Sequence, residues 1–95
     1  MKFRIAGIDY AVIEKSTDDM NGLVGSADFN HQIISINRDC TEQTQEIALL
    51  HEVLHIVDAA FNVGLSEEQV RVLTHGLLAL VKDNQAVLQG LQDRA

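Results

Sequence analysis

Ninety-five residues are enough for one hydrophobic core but not two, because domains typically run to about 50–200 residues; a single domain spanning 1–95 is expected. A hydrophobic fraction of 46%, 22% charged residues, six glycines and no proline exclude disordered, fibrous and collagen-like chains. Seven basic against fourteen acidic side chains give a net charge of -7, which repels a phosphate backbone and argues against nucleic acid as a direct ligand.

Cys40 is the lone cysteine, so no disulfide can form within the chain. A free thiol, and an opening Met1-Lys2-Phe3-Arg4 too short and polar for a signal sequence, predict a reducing, cytoplasmic setting. Gly76 to Val81, the longest uncharged apolar run, falls far below the roughly 20 residues that span a bilayer, so no membrane partner is expected. A domain this small is only slimly stable unless a metal or a partner adds to it.

In chain order, Phe3 and Ile5 alternate with polar or small residues, Ala6-Gly7 breaks the run, and Ile8, Tyr10 and Val12 resume the alternation up to Glu14. Period two on either side of a glycine turn predicts a hairpin. Residues 15–22 are turn-rich in Ser, Asp, Asn and Gly. Two further strands are predicted over about 24–29 and 32–37, joined at Asn30-His31, with Asn30 as the carrier of positive φ. From Asp39 the period becomes helical. Asp39 or Thr41 can cap a helix running to about Ala60, Asn62 and Gly64 stop it, and Ser66-Glu67-Glu68-Gln69 forms a capping box for a second helix to about Asp83. Residues 84–95 read as a short tail helix or frayed chain. The resulting class is α+β: a small antiparallel sheet in the N-terminal half, packed on the first helix, with the second helix beside it.

His51-Glu52-Val53-Leu54-His55 carries the chemistry. Positions four apart on a helix lie about 5–6 Å from each other, so both imidazoles can reach one metal ion, while Glu52 can reach a metal-bound water without ligating. Placed at about 100° per residue, most of this helix is apolar and expected to be buried; the remaining strip holds His51, His55, Glu52, Asp58, Ala48 and Ala59. Titratable groups on an otherwise buried helix call for pairing, a metal or a cleft. The bland reading is a helix with two satisfied core histidines.

A zinc site needs a third protein ligand and leaves the fourth position to water. Asp58, Glu67, Glu68 and His75 are the candidates. On the second helix Glu67 falls beside the buried face defined by Val70, at about 60° from it, and Glu68 at about 160°, which favours Glu67 as an inward ligand. Both could instead simply complement the positive helix N-terminus. Asp58 would lie about 10 Å along the axis from His51, too far for a shared site, and is expected to orient a histidine or the neighbouring backbone. His75 reads as a surface residue, His31 as a turn residue, Tyr10 as core rather than an oxyanion donor, and Cys40 as inert unless its thiolate caps the metal.

With His51, Glu52, His55 and Glu67, the chain resembles the gluzincin type of zinc metallopeptidase, and most of all its minimal versions: the minigluzincins and the small phage or prophage proteins related to ImmA/IrrE-type peptidases. In the latter the ligand glutamate opens a stretch whose spacing Glu67, Val70, Leu73, Thr74, Leu77 and Leu78 follow. The resemblance implies a zincin-like domain hydrolysing peptide bonds in a peptide or protein substrate, with zinc held by His51, His55 and Glu67 and Glu52 as general base. Two alternatives stand beside it: a non-catalytic zinc domain, in which the same ligands stabilise a small core and the surface binds a regulatory protein partner, and a regulatory module acting on a transcription factor, which the prophage relatives imply. A di-iron carboxylate site is disfavoured, since that chemistry needs two Glu-x-x-His motifs and only Glu52 to His55 supplies one.

Overall fold

The computed structural model describes residues 1–94. β1 (Lys2–Ile5) and β2 (Ile8–Lys15) form the expected hairpin, in which Phe3 opposes Tyr10 and Ile5 opposes Ile8. Ala6 and Gly7 supply the two left-handed positions, at φ 51° and 81°, of a tight turn whose twist matches the strands. β3 (Gly25–Asp28) and β4 (Ile33–Asn37) make the second hairpin. There the left-handed residue is Gln32, at φ 57°, and not Asn30. Asp28 explains the shift: its carboxylate accepts from the backbone N–H of Asn30 and of His31, both at 3.1 Å, which holds the start of the turn closed and leaves the reversal to its last residue.

The sheet order is β1-β2-β4-β3, and β2 runs parallel to β4, from Ala11 opposite Ile33 to Lys15 opposite Asn37. The sheet is therefore mixed, where an antiparallel one was expected. Its cause is the loop after β2. A tight turn would force the next strand to pair with β2, whereas residues 16–24 step across a two-strand gap of about 10 Å and let β4 fold back into the middle. Asn37, buried at the end of β4, fixes this loop: its amide donates to Thr17 Oγ1 and to the Leu23 carbonyl, each at 3.1 Å. Asp39 accepts from Thr17 N at 2.9 Å, and Met20 is buried within the loop.

α1 (Glu42–Phe61) lies across β1, β3 and β4. The core beneath it joins Ile5 and Tyr10 to Ile34 and Ile36 of the central strand and to Ala48 and Ile56 of α1. Thr41, not Asp39, is the N-cap, its hydroxyl accepting from Thr44 N at 3.2 Å. Asn62 ends the helix in the left-handed conformation. α1 is less buried than expected: of its residues Ala48 and Ile56 alone are buried, Leu49, Leu50, Val53 and Val57 are half-buried, and Phe61 at its end is 66% exposed. Ala48, assigned to the polar strip, is buried because β3 packs on it.

α2 (Glu67–Asp83) starts on the expected capping box, Ser66 accepting from Gln69 N and Gln69 accepting from Ser66 N. It meets α1 through Val70 and Thr74, both fully buried. α3 (Gln85–Arg94) is a short tail helix that buries no residue. No helix among the described residues is long and apolar enough to cross a membrane.

Candidate metal centre

His51 and His55 stand one turn apart on α1, where their rings meet edge to face with centroids 4.8 Å apart. That contact follows from the four-residue spacing alone. Glu67 arrives from the first turn of α2, and the link that delivers it is pinned by Asp58. One carboxylate oxygen of Asp58 accepts from Gly64 N at 2.8 Å and Leu65 N at 3.0 Å, and its carbonyl accepts from Val63 N at 3.2 Å. Gly64 sits at φ +83°, a conformation that side chains rarely tolerate. Asp58 therefore orients neighbouring backbone, one of the two roles foreseen for it, and lies outside the cluster itself.

His51 Nε2 and Glu67 Oε1 are 2.8 Å apart, His55 Nε2 and Glu67 Oε2 3.2 Å, and the two Nε2 atoms 3.1 Å. Two imidazole nitrogens and a carboxylate converge on one point, and together they could hold a metal ion, their ligand atoms all lying within 4.8 Å of one another. The donor set fits such a group. Nitrogen ligands about 2.0–2.1 Å from a tetrahedral ion stand about 3.3 Å apart, close to the observed spacing. Three protein ligands leave one position open for water or substrate.

Glu67 reaches this point although its side chain is 71% exposed. The direction expected of it, toward α1, is met, and the burial is not; its place at the start of α2, facing the histidine turn, is what brings it to the site. Contact with the histidines partly desolvates it, which opposes ionisation, but the hydrogen bonds and positive charge of His55 and His51 outweigh this and hold its pKa below the usual carboxylate value. Glu68 points away and pairs with Arg71.

Glu52 is next to the cluster and outside the ligand group. Burial raises its pKa, against the opposing pull of His51 and His55. Gly25 on edge strand β3 is what brings the sheet up to it: a Cβ at Gly25 would meet Ala48 Cβ at 3.3 Å and Glu52 Cγ at 3.4 Å. Together with Val24, Thr44, Ile47 and His51 these residues line an open recess of about 360 Å³. The sequence offered no sign of Gly25, since a glycine early in a strand reads equally well as punctuation.

The remaining candidates lie elsewhere. Tyr10 is in the core, His75 is on the surface, and His31 is in the hairpin turn, where Nδ1 meets Asp28 Oδ2 at 2.8 Å. Cys40 precedes α1, is half-buried, and is not part of the cluster. Comparisons with protein-family models, with curated proteins and with solved structures each return no match for this chain, so the functional reading rests on the residues themselves.

Proposed function

We propose that this domain is a zinc-dependent peptidase, in which His51, His55 and Glu67 hold the ion and Glu52 is the general base. The observation that carries the reading is the convergence of the three ligand atoms beside a half-buried carboxylate that stays out of the ligand group. Two nitrogens and one oxygen with an open fourth position suit zinc better than calcium or magnesium, which prefer all-oxygen shells. Bound zinc supplies Lewis acidity and lowers the pKa of its water to about 7.

The residues divide the remaining work. Glu52, made more basic than an ordinary carboxylate by burial, would take a proton from the attacking water and deliver it to the leaving amine. β3 is an edge strand, and its free side presents backbone N–H and C=O groups to which an extended peptide can add as a further strand. The recess between Val24, Gly25, Ile47 and Ala48 is apolar and shallow, suited to a small aliphatic side chain next to the scissile bond. The zinc-loaded protein is expected to cleave unstructured peptides, and Glu52→Gln to lose cleavage while retaining one zinc per chain. Equal cleavage by the two proteins would remove Glu52 from the mechanism.

The openness of the site favours one other reading. Glu67 is 71% exposed and the recess between β3 and α1 is open to solvent, as suits a domain in which the metal mainly ties α2 to α1 while the surface serves a regulatory protein partner. A large fall in melting temperature on chelation, with no cleavage of any peptide in an unstructured library, would decide for it.

A further inference from the structure

Away from the metal centre, Leu73, Leu77, Leu80, Asn84, Val87 and Leu91 follow one another at intervals of 4, 3, 4, 3 and 4 residues, the 3.5-residue average of a coiled-coil seam. Its five apolar members are all exposed, from 37% at Leu77 to 62% at Val87, because α2 turns a different face, that of Val70 and Thr74, toward α1. Only Asn84 separates α2 from α3, and the chain turns at once into the next helix, Leu88 N donating to the Asn84 carbonyl at 3.0 Å. Among the described residues α3 contacts no element but α2, to which it is joined. A ten-residue helix is marginal in water on its own, so its apolar stripe needs a cover.

We propose that the cover is a second copy of this chain, with the α2–α3 segments packed antiparallel about a two-fold axis near Lys82. The spacing 4-3-4-3-4 reads the same in both directions. An antiparallel two-fold thus sets Leu73 on Leu91, Leu77 on Val87 and Leu80 on Asn84 of the other copy, which is the self-complementarity that an isologous interface requires. Asn84 enters such a seam with one amide N–H already bonded, to the Leu80 carbonyl at 2.9 Å, and the rest of its amide can pair across the two-fold, as a single buried Asn does in coiled-coil seams.

Charge permits the same pairing. Between Val72 and Gln92 the only fixed charges are Lys82 and Asp83, so this stretch is neutral although the chain carries -7. Lys82 is turned away from the seam and held by Glu46 at 2.7 Å. With Leu88 beside it, 39% exposed, the seam exposes about 500 Å² per copy, or about 1,000 Å² for the pair, the least that a specific protein interface needs.

Sedimentation equilibrium over about two decades of protein concentration tests this by mass action. The native chain should rise toward twice its 10.5 kDa, with helical circular dichroism rising in step as α3 becomes covered. Val87→Glu with Leu91→Glu should stay at the mass of one chain, and because α3 touches no core element this variant keeps the folded domain. In a Cys40→Ser background, Leu77→Cys and Val87→Cys proteins mixed under oxidised glutathione should form the mixed disulfide in preference to either homodisulfide. A native chain that stays at 10.5 kDa throughout, a doubly substituted variant that still doubles, or homodisulfides in excess would each overturn the proposal.

Discussion

Replacing Asp58 with alanine should weaken the metal site without touching a ligand. The substitution removes two hydrogen bonds, to Gly64 N and Leu65 N, from a charged acceptor, and such bonds contribute about 1.5–3 kcal/mol each where water is excluded. Asp58 is half-exposed, so water takes over part of that role, and about 2 kcal/mol in total is the reasonable expectation. For a domain of this size that lowers the melting temperature by about 8–16 °C. The C-terminal turn of α1 should survive, since the Asp58 carbonyl still accepts from Asn62 N and Val63 N. What is released is the backbone immediately before Ser66 and Glu67. Re-ordering even one residue there on metal binding costs about 1–2 kcal/mol, which corresponds to about a 5- to 30-fold loss of zinc affinity. Urea unfolding of the metal-free protein reads the first effect and zinc titration against a competing chelator reads the second. Lowered stability with unchanged zinc affinity would show that the packing of Val70 and Thr74 on α1 positions Glu67 unaided, and would refute the reasoning.

Glu67→Ala should reduce zinc affinity by several orders of magnitude, and Glu68→Ala by less than threefold, since Glu68 engages only Arg71; competitive chelator titration distinguishes them. Gly25→Val should cost about 1–3 kcal/mol by overpacking, because its Cβ would press on Ala48 and Glu52 at 3.3 and 3.4 Å; an unchanged urea midpoint would mean that β3 moves freely off α1. Asp39 accepts from Thr17 N, which lowers its pKa below 3.8. A depressed folded-state pKa gives stability that is present above 3.8 and lost as pH falls through the lower, folded value. The stability gap between the native chain and Asp39→Ala should accordingly narrow as pH drops below about 4, and a gap that widens would contradict the assignment.

Much of the site was legible because it is local. The spacing of His51 and His55, the position of Glu52 next to the first histidine, and the Ser66-Gln69 capping box all follow from helix geometry over a few residues, and the structure carries each of them. Helix register favours Glu67 over Glu68, and the direction it gives holds, since rotation about the α2 axis turns Glu67 toward the histidines of α1; the burial expected with it does not, since the side chain is 71% exposed. Asp58 was legible only as a choice between two roles, because the sequence shows a carboxylate near a helix end but not which backbone groups lie within its reach.

The sequence by itself determined the periodic segments, their caps and the α+β class, since each depends on side chains a few residues apart. Only the tertiary structure decided which strands became neighbours. Alternation says that a strand has two faces but not which edge pairs with which, so the parallel union of β2 with β4 came from the span of the 16–24 loop and its Asn37 anchor. That pairing in turn left β3 at the sheet edge, with Gly25 against Ala48 and Glu52, which is how a strand with no chemistry of its own became the wall of the candidate site.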